Sequence, residues 1–222
     1  MLIKEVTSPH ELNKLDIDKD DPRYNLYRPT IKNYTDYSGH ISNLLHKIYH
    51  SKKFNKRDKF LYNRDEVLML DDMMYNHYIK RDITVYYGLK ESPLRIWLKY
   101  KVPFEQPVTV HFPSYISTST NIYVAGDFGA TDSLLLNSLL NKPEFKNLLN
   151  LVRKNNVLLL KVPAGTSGLS LKNFSKHPKE DEILLARGLN IKIYPNPKLD
   201  SLNNALRWRA EVVGHTPQEI TE

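Results

Sequence analysis

The chain has 222 residues, a formal net charge of +7 and no cysteine, with 41% hydrophobic and 26% charged residues. That length accommodates one large domain or two small ones of ordinary globular composition. Without cysteine there are no disulfides, thiolate metal sites or cysteine nucleophiles, and no apolar run approaches the length of a membrane-spanning helix. A charged-then-apolar leader is missing too, so a cytoplasmic protein with no membrane contact is expected. The positive balance suits an acidic partner, nucleic acid or protein.

Residues 1–35 hold few periodic apolar positions and many turn formers, among them Pro9, Asp20, Asp21, Pro22 and Pro29. They read as an irregular arm with a short strand over 2–6. Ile41, Leu44, Leu45, Ile48 and Tyr49 then fall at helical spacing. Lys52, Lys53, Lys56, Arg57, Lys59 and Arg64 form a basic run interleaved with Phe54, Phe60 and Tyr62. That mixture can hold single-stranded nucleic acid, but a solvated connector is the commoner outcome and the preferred reading. Asn63 and Glu66 have the spacing of a capping box. The helix they open is expected to bury Leu70, Met73, Met74, His77 and Tyr78, with His77 at the core edge and not a metal ligand.

The character of the chain changes at Ile83. Ile83-Thr84-Val85-Tyr86-Tyr87-Gly88 is a β-branched and aromatic strand that ends on glycine, as a strand delivering its last residues to a cleft does. Further strands are predicted over 108–111 and 115–118, then a helix over 121–130 and two more over 134–140 and 145–152, the last with Pro143 near its start. Strands follow over 157–162, 183–186, 189–194 and 206–213. Strands outnumber helices, and no βαβ period, repeat or linker occurs. The pattern predicts an α+β protein of one domain over 1–222, with an arm and helices in 1–80 and a β-rich core in 81–222.

Glu180 and Glu182 stand two apart, immediately before Ile183-Leu184-Leu185 and a stop at Gly188. If extended geometry already holds at Glu180, both carboxylates point to one face. Two acids held that way oppose each other's ionisation, which gives one site a base and an electrostatic anchor together. Taken alone, the pair is an acidic turn before a core strand. Ser117-Thr118-Ser119 taken alone is a polar strand end.

In order, however, these pieces resemble the mono-ADP-ribosyltransferases, specifically the arginine-directed branch and its tailed-phage members. The resemblance runs from Ile83 to about Val213. It is carried by Tyr86-Tyr87-Gly88, by Pro113-Ser114-Tyr115-Ile116-Ser117-Thr118-Ser119 followed by Ala125 and Phe128, by Val162-Pro163-Ala164-Gly165, and by Glu180-x-Glu182-Ile183-Leu184-Leu185-x-x-Gly188. It implies two packed, mainly antiparallel sheets around a cleft for NAD, which is the substrate, and it implies no metal.

The resemblance also assigns roles. Cleaving the bond between nicotinamide and ribose creates an oxocarbenium-like centre, which a nearby carboxylate stabilises electrostatically. Glu182 is implied to be that carboxylate, on the ribose hydroxyls. Glu180 is implied to orient and deprotonate the acceptor, and a glutamate at that position goes with arginine acceptors, whose guanidinium needs a base. Ser117 would hold Glu182 and the nicotinamide ribose, Phe128 would pack on the nicotinamide ring, and Gly88 would let the backbone approach the nicotinamide amide. Tyr86, Tyr87, Thr118, Ser119 and Arg95 complete the implied NAD site.

Tyr87 stands where the family has an arginine for the NAD phosphate. Three readings are open: Tyr87 contacts a ribose, as a histidine does in the diphtheria-toxin-like branch; a nearby cation (Arg81, Lys90 or Arg95) neutralises the pyrophosphate; or NAD binds weakly or unproductively. The first two together are preferred, because both glutamates and the Ser-Thr-Ser are intact. The expected protein is a monomeric, phage-encoded enzyme that transfers ADP-ribose from NAD to arginine side chains of host proteins, such as the transcription or translation machinery, with an RNA contact as a secondary partner. An NAD glycohydrolase, and a catalytically silent module that binds RNA or an acidic protein, stand as alternatives.

Overall fold

The computed structural model describes residues 22–51, 64–89, 93–103, 105–128, 155–175, 178–202 and 204–216. They form helices α1 (Tyr24–Ser51), α2 (Arg64–Tyr75), α3 (Pro93–Tyr100) and α4 (Ile122–Phe128). The strands are β1 (Ile83–Gly88), β2 (Val108–Phe112), β3 (Ile116–Ser119), β4 (Asn155–Val162) and β5 (Gly168–Ser170). After these come β6 (Glu182–Leu185), β7 (Leu189–Ile193), β8 (Lys198–Asp200) and β9 (Ala205–His215).

The strands follow the order β2-β7-β9-β4-β1-β3-β6-β5, with β8 on β9. Only β4 and β9 pair in parallel among the described strands. β1 and β4 are paired from Ile83↔Val162 to Gly88↔Val157, whereas β1 and β3 share one register pair, Tyr86↔Ser119. The path therefore divides there into a group built on β2, β7, β9, β4 and β1 and a group of β3, β6 and β5. Val85, Leu158, Ile191 and Trp208 of the first pack against Ile116, Ile183 and Leu185 of the second in one buried cluster. This is the arrangement of two packed, mainly antiparallel sheets. On the outer side of β5 and β6, Leu169, Leu171, Leu184 and Ala186 pack with Tyr27, Ile31, Leu70, Met73 and Met74 of α1 and α2. On the outer side of the larger group, α4 brings Ala125 onto Val157 and Ala205.

The strand predicted over 83–88 is realised without a shift, and the other predicted strands among the described residues are displaced by one or two residues at their ends. The irregular arm is corrected from Tyr24 onward, since α1 begins there. Tyr27, Ile31 and Tyr34 repeat at helical spacing and are 0%, 0% and 3% exposed. Burying each contributes about 1.5–3 kcal/mol, which outweighs the roughly 3 kcal/mol that Pro29 costs inside a helix. α2 ends at Tyr75, so its apolar stripe does not reach Tyr78, which is 59% exposed instead of buried. Ile79 takes the buried place, with its N–H on the Thr166 carbonyl at 2.8 Å. The short elements α3, β5 and β8 have no counterpart in the sequence reading. The predicted strand over 2–6, the helices over 134–140 and 145–152, Asn63 and most of the basic run lie outside the described residues.

α1 ties the two groups of strands together. Tyr24 near its start lies 4.6 Å from Phe174, between β5 and β6, and Tyr49 near its end stacks on His111 of β2 at 4.7 Å. Among the described residues no helix is long and apolar enough to cross a membrane.

Candidate active site

β6 is the most deeply set element of the cleft. Ile183, Leu184 and Leu185 are all 0% exposed, so the strand is held from both faces and its first residue, Glu182, is fixed at the entrance. Glu182 is 8% exposed. β5 lies close enough on β6 that a Cβ at Gly168 would come within 2.9 Å of the Leu184 carbonyl, which leaves glycine as the residue that fits.

Gly88 at the end of β1, Ser117, Thr118 and Ser119 of β3, Val124 and Ala125 of α4, and Glu180 and Glu182 line one small open cleft. The three hydroxyls of β3 act as a clamp on the acidic stretch. The Ser117 hydroxyl donates to Glu182 Oε1. Thr118 Oγ1 donates to the Ile183 carbonyl at 2.8 Å, and Ser119 Oγ donates to the Glu180 carbonyl at 2.6 Å. Ser119 Oγ also accepts the Asn121 N–H at 2.9 Å, which joins the start of α4 to the same cluster. A strand end that alone reads as polar surface thus fixes the two glutamates.

Extended geometry does not reach Glu180. That residue closes a 3-10 turn, Pro178–Glu180, and Asp181 follows in the left-handed region at φ 43°. Both residues line the cleft, but a turn and a left-handed residue bring them there, not strand alternation. The Asp181 carboxylate pairs with Lys172 Nζ at 2.8 Å.

Tyr86 and Tyr87 leave β1 on opposite faces. Tyr86 packs on the cluster under α4. Tyr87 packs on the core between the sheets, its ring edge-on to Phe112 at 5.8 Å, and burial pushes its phenol up to about 12. It supplies a neutral hydroxyl, not a charge. Arg81 precedes β1, and six residues of strand put it roughly 20 Å from Gly88. Arg95 lies in α3 and Phe128 closes α4, but their side chains are outside the described residues, as is Lys90.

Several residues of the site escaped sequence reasoning. Tyr34 of α1 is 3% exposed. Burial, followed by the negative charge of Glu182, raises its phenol well above the ordinary value, so α1 sets a hydroxyl in the field of that carboxylate. The Tyr27-Ile31-Tyr34 spacing was the available signal. Asp71 of α2 takes Arg187 Nε at 2.9 Å and the other guanidinium nitrogen at 2.7 Å, and the Tyr115 hydroxyl donates to it at 2.7 Å. Burial pulls the Arg187 guanidinium down, but the hydrogen bonds and charge of Asp71 outweigh this and leave it raised. One carboxylate thereby anchors the residue just before β3 and the turn just after β6.

A family profile described as ADP-ribosyltransferase exoenzyme matches residues 27–215. A search for similar curated sequences finds no match. Among solved structures, C3stau2 from S. aureus, solved with NAD, is similar at a TM-score of 0.62 and 18% identity, covering 95% of this chain and 98% of that one. Plx2a, an ADP-ribosyltransferase toxin from Paenibacillus larvae, gives 0.57 and 17%, covering 85% and 86%. The ADP-ribosyltransferase Vis in complex with agmatine gives 0.53 and 16%, covering 93% and 81%.

Proposed function

The chain belongs to the ADP-ribosyltransferase exoenzyme family, and from that premise we propose that it transfers ADP-ribose from NAD to arginine side chains of a protein, releasing nicotinamide. The observation that carries the proposal is a cleft lined by two glutamates, one buried and clamped and one on a turn at the rim.

The C–N bond between nicotinamide and ribose breaks and its electron pair leaves with nicotinamide, so positive charge develops on the ribose. Glu182, held by Ser117 in a site of low exposure, meets that charge with a fixed carboxylate that needs no reorganisation. An arginine guanidinium is protonated in water and is a poor nucleophile until a base takes a proton. Glu180 is the base. Its backbone is fixed by Ser119, while its side chain is half-buried and within reach of an incoming protein. One guanidinium nitrogen then forms the new bond to the ribose carbon as its proton passes to Glu180. A glutamate two residues before the ribose-binding one supports arginine as the acceptor, and the guanidine compound agmatine in the Vis complex supports the same chemistry in a protein of similar fold.

Tyr87 favours a second reading. A neutral phenol in place of a phosphate-binding cation suits an enzyme that spends NAD on water. Incubation with labelled NAD, with and without agmatine, separates the two. A mass-shifted agmatine adduct formed with equivalent nicotinamide supports transfer. Nicotinamide and free ADP-ribose alone, at the same rate with and without agmatine, overturn it in favour of hydrolysis.

A further inference from the structure

The turn that presents Glu180 depends on a residue outside the cleft. Asp181 is not glycine, yet it holds φ 43°, a conformation that L side chains adopt reluctantly. Its carboxylate is held by Lys172 Nζ at 2.8 Å. Lys172 follows Leu171, whose N–H donates to the Glu182 carbonyl at 2.9 Å and so extends the β5–β6 ladder to the first residue of β6. The ion pair thus closes the mouth of the loop that runs from the end of β5 to the start of β6. Asp181 is drawn to Lys172 while Glu180 and Glu182, on either side of it, both line the cleft.

We infer that Lys172 is a positioning residue that sets acceptor use: its ion pair with Asp181 clasps the left-handed turn and thereby aims Glu180 at the acceptor. The inference rests on the assignment of Glu180 to the acceptor proposed above. Three consecutive acids give the clasp a second role. By binding the middle one, Lys172 keeps its charge away from the rim where Glu180 meets an approaching guanidinium. Glu182 does not depend on the clasp, because Ser117 and the β3–β6 ladder hold it independently.

The test is a double-mutant cycle on the full chain, reading the ratio of agmatine modification to NAD hydrolysis. Because the pair is partly exposed, Lys172→Met lowers that ratio by only about two- to fivefold, with the KM for NAD unchanged. Lys172→Arg keeps the ratio, since a guanidinium can make the same pair. Glycine takes the left-handed turn without assistance, so in the Asp181→Gly background Lys172→Met has no further effect. An unchanged ratio in Lys172→Met, or the same loss in both backgrounds, overturns the clasp. A global loss of stability would move both activities together, which the ratio excludes. If the unaltered protein modifies no agmatine, the arginine assignment fails and the clasp is judged by amide hydrogen exchange at Glu180, Asp181 and Glu182. Faster exchange in Lys172→Met sustains it, and unchanged exchange removes it.

Discussion

Ser117 and Glu182 are 65 residues apart in the chain and are joined by a hydrogen bond across the β3–β6 ladder. In that ladder Ser117 lies opposite Leu184 and Ser119 opposite Glu182, so Ser117 meets the glutamate as a diagonal neighbour on the same face. The Glu182 carboxylate is therefore set by sheet register, and a slip of one residue would turn it out of the cleft.

Glu182→Gln keeps the shape and loses the charge. Both agmatine modification and NAD hydrolysis should fall by about 10²–10³-fold, the range for losing one preorganised electrostatic contact. Thermal unfolding should be little changed, because β6 is held by Ile183, Leu184 and Leu185. Ser117→Ala should cost less in both activities, since the carboxylate remains but loses its orienting donor. Nicotinamide release measured beside the melting curve checks all of this.

Glu180→Gln should divide the activities. Agmatine modification falls by about 10²-fold or more as the base is lost, while a measurable share of NAD hydrolysis persists because Glu182 is intact. Equal loss of both would mean that the two carboxylates share one task.

Tyr87→Phe removes the phenol and keeps the packing on Phe112. If that hydroxyl bonds NAD, the KM for NAD rises by an amount worth about 1–3 kcal/mol. Tyr87→Arg is expected to lower that KM through charge-assisted contacts to phosphate. Initial rates over a range of NAD concentrations distinguish these outcomes, and a Tyr87→Phe enzyme with unchanged KM places the phenol outside NAD binding.

Alkaline stability reports on the same residue. The Tyr87 phenol is raised by burial from 10.0 to about 12. The native protein therefore keeps a proton that the unfolded chain releases. This contribution is fully present below pH 10 and is lost as pH rises towards about 12. Denaturation series across that window should show a shallower decline in Tyr87→Phe than in the unaltered protein.

Asp71→Ala leaves Arg187 buried without its partner. The Arg187 and Asp71 side chains are 7% and 11% exposed, so the loss should be about 3–5 kcal/mol. Replacing both with apolar residues should recover part of it. Urea unfolding of the single and double variants measures the difference.

The strands were legible where burial imposes a pattern. Residues 83–88 are β-branched and aromatic and end on glycine, and Ile183, Leu184 and Leu185 form an unbroken apolar run because both faces of β6 are covered. The start of α1 was hidden by Pro29 and by tyrosines that do not stand out as core, although Tyr27 and Tyr34 are buried. Glu180 and Glu182 stood out only through the ordered motifs of the family resemblance, since their spacing alone reads as an acidic turn, and the turn between them was not legible, because Asp181 owes its left-handed conformation in part to Lys172 on another segment. Asp71 and Arg187 were missed for the same reason. Each looks like surface charge until the fold brings them together, 116 residues apart.

β9 lies between β7 and β4, inside the sheet, although it is the last of the described strands. A ribosome delivers about 5–20 residues each second, so the stretch between the end of β4 at Val162 and the start of β9 at Ala205 takes a few seconds, during which β4 has β1 on one side and an open edge on the other. The strand that presents Gly88 leans on that half-finished neighbour. The sheet that carries Gly88 is thus closed on that side only once residues 205–215 are in place. A chain stopped short of 205 leaves β4 and β7 with unpaired edges that invite aggregation.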